Sequence, residues 1–102
     1  MFDKSNRYMT IGIQSEILLE IQLFMWNCID ELKEKGQELD YLQVFKLKVI
    51  KNTERFNQEI IHSQEVPPYK KHYLVEANKP FDAKVFVIDD KTHSTMLLAE
   101  EY

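Results

Sequence analysis

Glycine, proline and cysteine are all scarce: two, three and one in 102 residues. With only Gly12 and Gly36, no glycine-rich loop can form to cradle a phosphate. A lone Cys28 excludes an internal disulfide and a cysteine-rich zinc site. No apolar run approaches the roughly 20 residues that a membrane-spanning helix needs. Positive charge is also short, with 13 Lys and Arg against 17 Asp and Glu, a net charge of −4. The deficit is even. Residues 1–51 hold seven basic and eight acidic side chains, and residues 52–102 hold six and nine. Phosphate-backbone binders concentrate positive charge on one face, so nucleic acid is a disfavoured partner. The opening Met1–Arg7 lacks an apolar core followed by a small-residue cleavage site. It therefore predicts no secretory signal and a cytoplasmic location, where an unpaired thiol stays reduced.

What is present suits one small domain spanning residues 1–102. The chain is 44% hydrophobic and 12% aromatic, enough apolar side chain to offset chain entropy. Residues 7–13 alternate, with Arg7, Met9, Ile11 and Ile13 on one side, and predict a strand. From Ser15, a candidate N-cap, the period changes. Ile17, Leu18, Ile21, Phe24, Met25, Cys28, Ile29 and Leu32 form a stripe that predicts a helix over 15–35. Gly36 supplies the left-handed stop. Leu19, Leu23 and Trp26 make a second ridge beside the stripe. Deep burial is the expected reading of that ridge, and a partner surface is the alternative.

Strands follow. Residues 41–50 place Phe45, Leu47 and Val49 opposite Lys46 and Lys48, with a phase slip at Val44-Phe45 that suggests a bulge. Asn52 is expected to begin the turn into a long polar strand over 55–66, which Pro67-Pro68 ends. Its polarity on both faces and the closing prolines suggest a sheet edge. Residues 72–77 form the next strand, and 83–88 with 93–99 a hairpin. The expected fold is α+β: one long N-terminal helix packed on a mainly antiparallel sheet of five to six strands. One helix covers only part of such a sheet, so Phe45, Leu47, Val85 and Val87 are expected to remain partly open and to support a homodimer.

Three passages carry a resemblance: the opening Phe2–Thr10, the central Gln58–Tyr69, and Val87-Ile88-Asp89-Asp90 with Thr95–Tyr102. Together they resemble a family of roughly hundred-residue proteins of unknown function from staphylococci, streptococci, related Gram-positive bacteria and their phages. The resemblance covers nearly the whole chain. It implies a cytoplasmic protein of a bacterium, a phage or another mobile element, and supplies no catalytic residues.

The most chemical-looking stretch is Glu59-x-x-His62-x-x-Glu65, with His72, Asp89, Asp90 and His93 elsewhere. On a strand, residues three apart face opposite sides, so Glu59, His62 and Glu65 do not converge on one ion. A pair such as His62 and His93 can meet only across neighbouring strands. A metal-dependent hydrolase around His62 is therefore the third-ranked reading. Cys28 lies on the apolar stripe, where burial keeps a thiol inert, and no serine has a base at a diagnostic spacing. No catalytic constellation and no cofactor are expected. The leading reading is a non-enzymatic protein-interaction module, of the kind that modulates or inhibits a host protein. Its candidate contacts are the stiffened basic loop Pro67, Pro68, Tyr69, Lys70 and Lys71, and the ridge Leu19, Leu23 and Trp26. The runner-up is a nucleic-acid-binding accessory protein using Tyr69 and the lysines, which Lys46, Lys48 and Lys51 would extend into a basic face.

Overall fold

The computed structural model describes residues 1–51 and 54–102. In chain order they form β1 (Arg7–Met9), α1 (Ile11–Glu16), α2 (Leu19–Glu34), β2 (Leu42–Val49), β3 (Gln58–Gln64), β4 (Tyr69–Val75), β5 (Ala83–Asp89) and β6 (Ser94–Leu98), then a 3-10 turn over Ala99–Glu101. The fold is α+β, with two helices and a six-stranded mixed sheet of order β1-β6-β5-β2-β3-β4. Every pairing is antiparallel except β1 with β6, which is parallel.

The N-terminal expectations are corrected in two places. The strand stops at Met9, because Thr10 caps a helix there, its hydroxyl accepting from the Ile13 amide at 3.3 Å. The same hydroxyl donates to Glu101 at 2.6 Å, and the Gly12 amide donates to that carboxylate at 3.2 Å. A Cβ at Gly12 would stand 2.5 Å from the carboxylate, which is why glycine fits. Ser15 is not a cap; it lies inside α1, its hydroxyl donating to the Ile11 carbonyl at 2.8 Å. The expected single helix over 15–35 is divided by extended backbone at Ile17 and Leu18. Gln22 spans the break by donating to the Ile17 carbonyl at 2.8 Å. The stop holds as expected, with Gly36 at φ 76°.

Ile21, Met25, Cys28, Ile29 and Leu32 are the buried apolar residues of α2. All but Leu32 share one hydrophobic cluster with Phe45, Leu47, Ile60, Val85, Val87, Met96 and Leu98 of the sheet. Phe45, Val85 and Val87 are fully buried and Leu47 nearly so, so they are not the open apolar surface the sequence suggested. The expected bulge at Val44-Phe45 is absent: the β2 register runs unbroken from Val44 to Val49 against β3 and from Leu42 to Leu47 against β5. The phase never slips, because the inward residue before Phe45 is the buried Gln43.

The strand expected over 55–66 is shorter, Gln58–Gln64, and it is interior rather than an edge, with β2 on one side and β4 on the other. Its polar residues Gln58, His62 and Gln64 alternate with Ile60 on the buried face, satisfied by hydrogen bonds instead of solvent. The turn assigned to Asn52 lies outside the described residues. The chain reverses after Gln64, and Tyr69, Lys70 and Lys71 begin β4 rather than belonging to a loop. The expected β5–β6 hairpin is present, its turn held by Asp90, which accepts from the Thr92 and His93 amides at 3.0 and 2.9 Å.

Candidate functional site

The β3–β4 turn rests on a buried polar chain. His62 stacks on Phe45 with ring centroids 4.4 Å apart, and Tyr69 meets it edge-on at 5.5 Å. Its Nε2 lies 2.6 Å from Gln43 Oε1. That oxygen only accepts, so Nε2 carries the proton and Nδ1 is a bare acceptor, buried without a hydrogen-bond partner. Burial pushes the imidazole down to about 4, leaving it neutral at pH 7. Gln43 Nε2 donates to Gln64 Oε1 at 2.7 Å, and Gln64 Nε2 donates to the carbonyls of Glu38 and Pro67. Asp40 completes the chain by accepting from the Val66 amide at 3.0 Å. The network ties the turn around Pro67 and Pro68 to the connection that follows α2. His62 acts here as a structural link.

The residues of the metal reading are not brought together. His62 faces the helix side, whereas Glu59 faces the opposite side and lies 3.6 Å from His72. His93 sits at the β5–β6 turn against Tyr8 and Asp90, far in strand order from His62. Among the described residues no group of three or more His, Cys, Asp or Glu is placed to hold a metal. Cys28 is buried, and desolvation pushes its thiol up to about 11, with a hydrogen bond to Tyr73 partly opposing the shift.

The helix ridge divides. Leu19 and Leu23 are 62% and 53% exposed, so deep burial is wrong for them. They point away from the stripe that packs in the core, one turn apart. Trp26 is half-buried instead, because the Arg7 guanidinium lies 4.6 Å over its ring and also pairs bidentately with Asp30. This clamp fixes β1 to α2, and Arg7 also donates to the Phe2 carbonyl at 2.8 Å. Beside Leu19, a cleft of about 260 Å³ is lined by Met9, Ile17, Gln22 and Lys79 among others.

The basic loop divides too. Tyr69 and Lys71 turn to the helix side, Lys71 lying 5.1 Å over the Tyr73 ring, whereas Lys70 is exposed on the opposite face. That opposite face carries no helix. The registers place Leu42, Ile88, Thr95 and Tyr8 in one row across it, then Lys70, Ser63, Val44, Phe86 and Leu97. The next rows are His72, Ile61, Lys46 and Lys84, then Leu74, Glu59 and Lys48. Leu42, Val44, Phe86, Ile88 and Leu97 are half-buried, while Lys46, Lys48, Lys70 and Lys84 are exposed. Four lysines stand against Glu59 on a chain of net charge −4, so the face is basic on an acidic protein. Lys46 and Lys84 are direct cross-strand partners. Among the described residues neither they nor Lys48 or Lys70 form an ion pair.

The structure thus gathers Lys46, Lys48 and Lys70 of the expected basic face, with Lys51 beyond β2, and adds Lys84. Sequence reasoning missed Val44, Lys84, Phe86 and Ile88 as one surface. A signal existed: Val85-Phe86-Val87-Ile88 is apolar at every position, more than one buried face can use.

Among the described residues no helix is long and apolar enough to cross a membrane. A solved structure described as a protein of unknown function from Enterococcus faecalis is similar over 99% of this chain and 94% of its own, with a TM-score of 0.76 and 25% identity. A Caenorhabditis briggsae protein, cap-specific mRNA (nucleoside-2′-O-)-methyltransferase 1A, is 31% identical over 81 residues, or 76% of this chain. The chain spans only 9% of that protein's length. The model of the family described as staphylococcal protein of unknown function (DUF960) matches residues 6–101, and the chain belongs to that family.

Proposed function

We propose that the protein is a non-enzymatic interaction module that docks a partner protein through the open face of its sheet. The observation that carries this reading is the unpaired Lys46–Lys84 couple beside the half-buried row Val44, Phe86 and Leu97. Like charges directly opposite each other destabilise a sheet, and among the described residues neither lysine has an ion-pair partner, Lys84 only overlying the Phe86 ring. A bound partner would offset them. A small module of this kind acts by occupying another protein's surface, as a modulator or inhibitor does. Affinity capture from a cytoplasmic lysate of the source bacterium, run in parallel with the native chain and with Lys46→Glu, tests the reading. A specific partner recovered by the native chain should be lost from the variant; equal recovery refutes the docking face.

Self-association is a second reading, supported by the exposure of Leu19 and Leu23 on a different surface. Sedimentation at low micromolar concentration should then show about twice the 12.2 kDa chain mass, falling to one chain mass in a Leu19→Ser, Leu23→Ser variant. A native chain that is monomeric throughout removes this reading.

A further inference from the structure

We infer that the occupant of the open face is an acidic amphipathic helix of a partner protein, an inference that rests on the docking face proposed above. The face has two halves. Leu42, Ile88, Val44, Phe86 and Leu97 make two adjacent rows mainly apolar, and Lys46, Lys84 and Lys48 make the next two mainly basic, with Glu59 opposite Lys48. Apolar surface bordered on one side by cations is the complement of a helix with one apolar stripe flanked by carboxylates. Lys46 and Lys84, with Cβ atoms about 5 Å apart as cross-strand partners, can both reach a single helix turn bearing two carboxylates.

The same observations weigh against two other occupants. A second copy of the chain seated face to face would bring the same patch, four lysines against Glu59, and so would supply no surplus of carboxylate to neutralise it. A single-stranded nucleic acid needs exposed aromatic rings on which bases stack. Here the central ring, Phe86, is half-buried, met edge-on by Tyr102 at 5.7 Å and overlain by Lys84 at 5.5 Å. Tyr8 and Tyr102 are exposed at the rim, yet the rest of the chain carries the negative charge that would repel a phosphate backbone.

The test is an NMR titration of the full chain with three probes. One is a synthetic amphipathic helix of about five turns with leucines on one face and glutamates beside them. The second replaces each glutamate by lysine, and the third is a single-stranded oligothymidylate. The expected result is amide shifts centred on Val44, Lys46, Lys84 and Phe86 with the glutamate helix. Binding of the lysine helix should be on the order of tenfold weaker, and Lys46→Glu should narrow or reverse that preference. Equal binding of the two helices, or shifts on this face with the oligonucleotide alone, overturns the acidic helix while leaving the docking face standing. Shifts confined to Leu19 and Leu23, or no shifts on the open face with any probe, overturn the docking face as well.

Discussion

On the helix side of the sheet, Gln43, Gln58, His62 and Gln64 are all buried, yet each has found partners within the chain. On the other side, Val44, Phe86 and Ile88 remain half-open among lysines that form no ion pair with any described residue. Polarity alone therefore does not tell which face is closed. The closed face tolerates amides and an imidazole because their hydrogen bonds join segments that must be held together. Gln58, for example, donates to the Lys48 and Phe81 carbonyls and accepts from the Phe81 amide at 2.8 Å, tying the β4–β5 connection to the sheet. Satisfied polar groups are tolerated inside, whereas unsatisfied cations stay in solvent and remain available.

The contrast can be broken most severely at Phe45. Phe45→Ala empties a fully buried site under His62 and should cost about 3–5 kcal/mol. Phe86→Ala, half-buried on the open face, should cost well under half of that. Urea unfolding of both variants checks the pair, and equal losses would mean the two faces are closed alike.

Acid should act on the closed face next. His62 titrates near 4 when folded, below the ordinary histidine value of about 6.5, so the unfolded chain binds its proton first. Its contribution is full above pH 6.5 and is lost as pH falls towards 4. The total is about 3 kcal/mol. Stability measured between pH 7 and 5 should fall along this slope in the native chain and stay flatter in His62→Gln.

A smaller effect is expected at Gln58. Gln58→Ala strands the Phe81 amide and several carbonyls and should cost about 1–3 kcal/mol, seen as earlier proton exchange across 77–82. The smallest effect has the opposite sign. Lys46→Glu turns the repulsive couple with Lys84 into an attractive one and should stabilise the fold by about 0.2–1 kcal/mol. A gain in melting temperature alongside loss of the partner would separate stability from binding at one residue.

The elements visible in the sequence are those whose cause is local. The stripe Ile21, Met25, Cys28, Ile29 and Leu32 repeats with the helix period, and Gly36 ends it, so α2 could be read directly. The β5–β6 hairpin declares itself through Asp90 in the same way. What escaped depends on distant partners. Ile17 fits the stripe whether or not the helix breaks beside it, and the break is fixed by packing that the period does not report. The cap at Thr10 is shared with Glu101, 91 positions away. The interior place of β3 is hidden because Gln58, His62 and Gln64 look solvated until their partners are known. At the candidate site, Lys46 and Lys48 were legible as a facing pair of cations, but only strand order brings Lys84 and Lys70 to them.

The parallel pairing of β1 with β6 has a consequence for the order in which the chain can be completed during synthesis. β2 through β5 find their neighbours as soon as they emerge, since each pairs with a strand close by in the sequence or with one already made. β1 is made first and waits longest: its only strand neighbour is the last one, and Phe2 reaches its hydrogen bond to Asp89 across 87 positions. Until Ser94–Leu98 leaves the ribosome, the opening segment has no ladder to join, and Arg7 links it to α2 through Asp30 and Trp26. The growing chain therefore carries an unclosed sheet edge until β6 is made, and β6 both fills that edge and recruits β1 to cover its own.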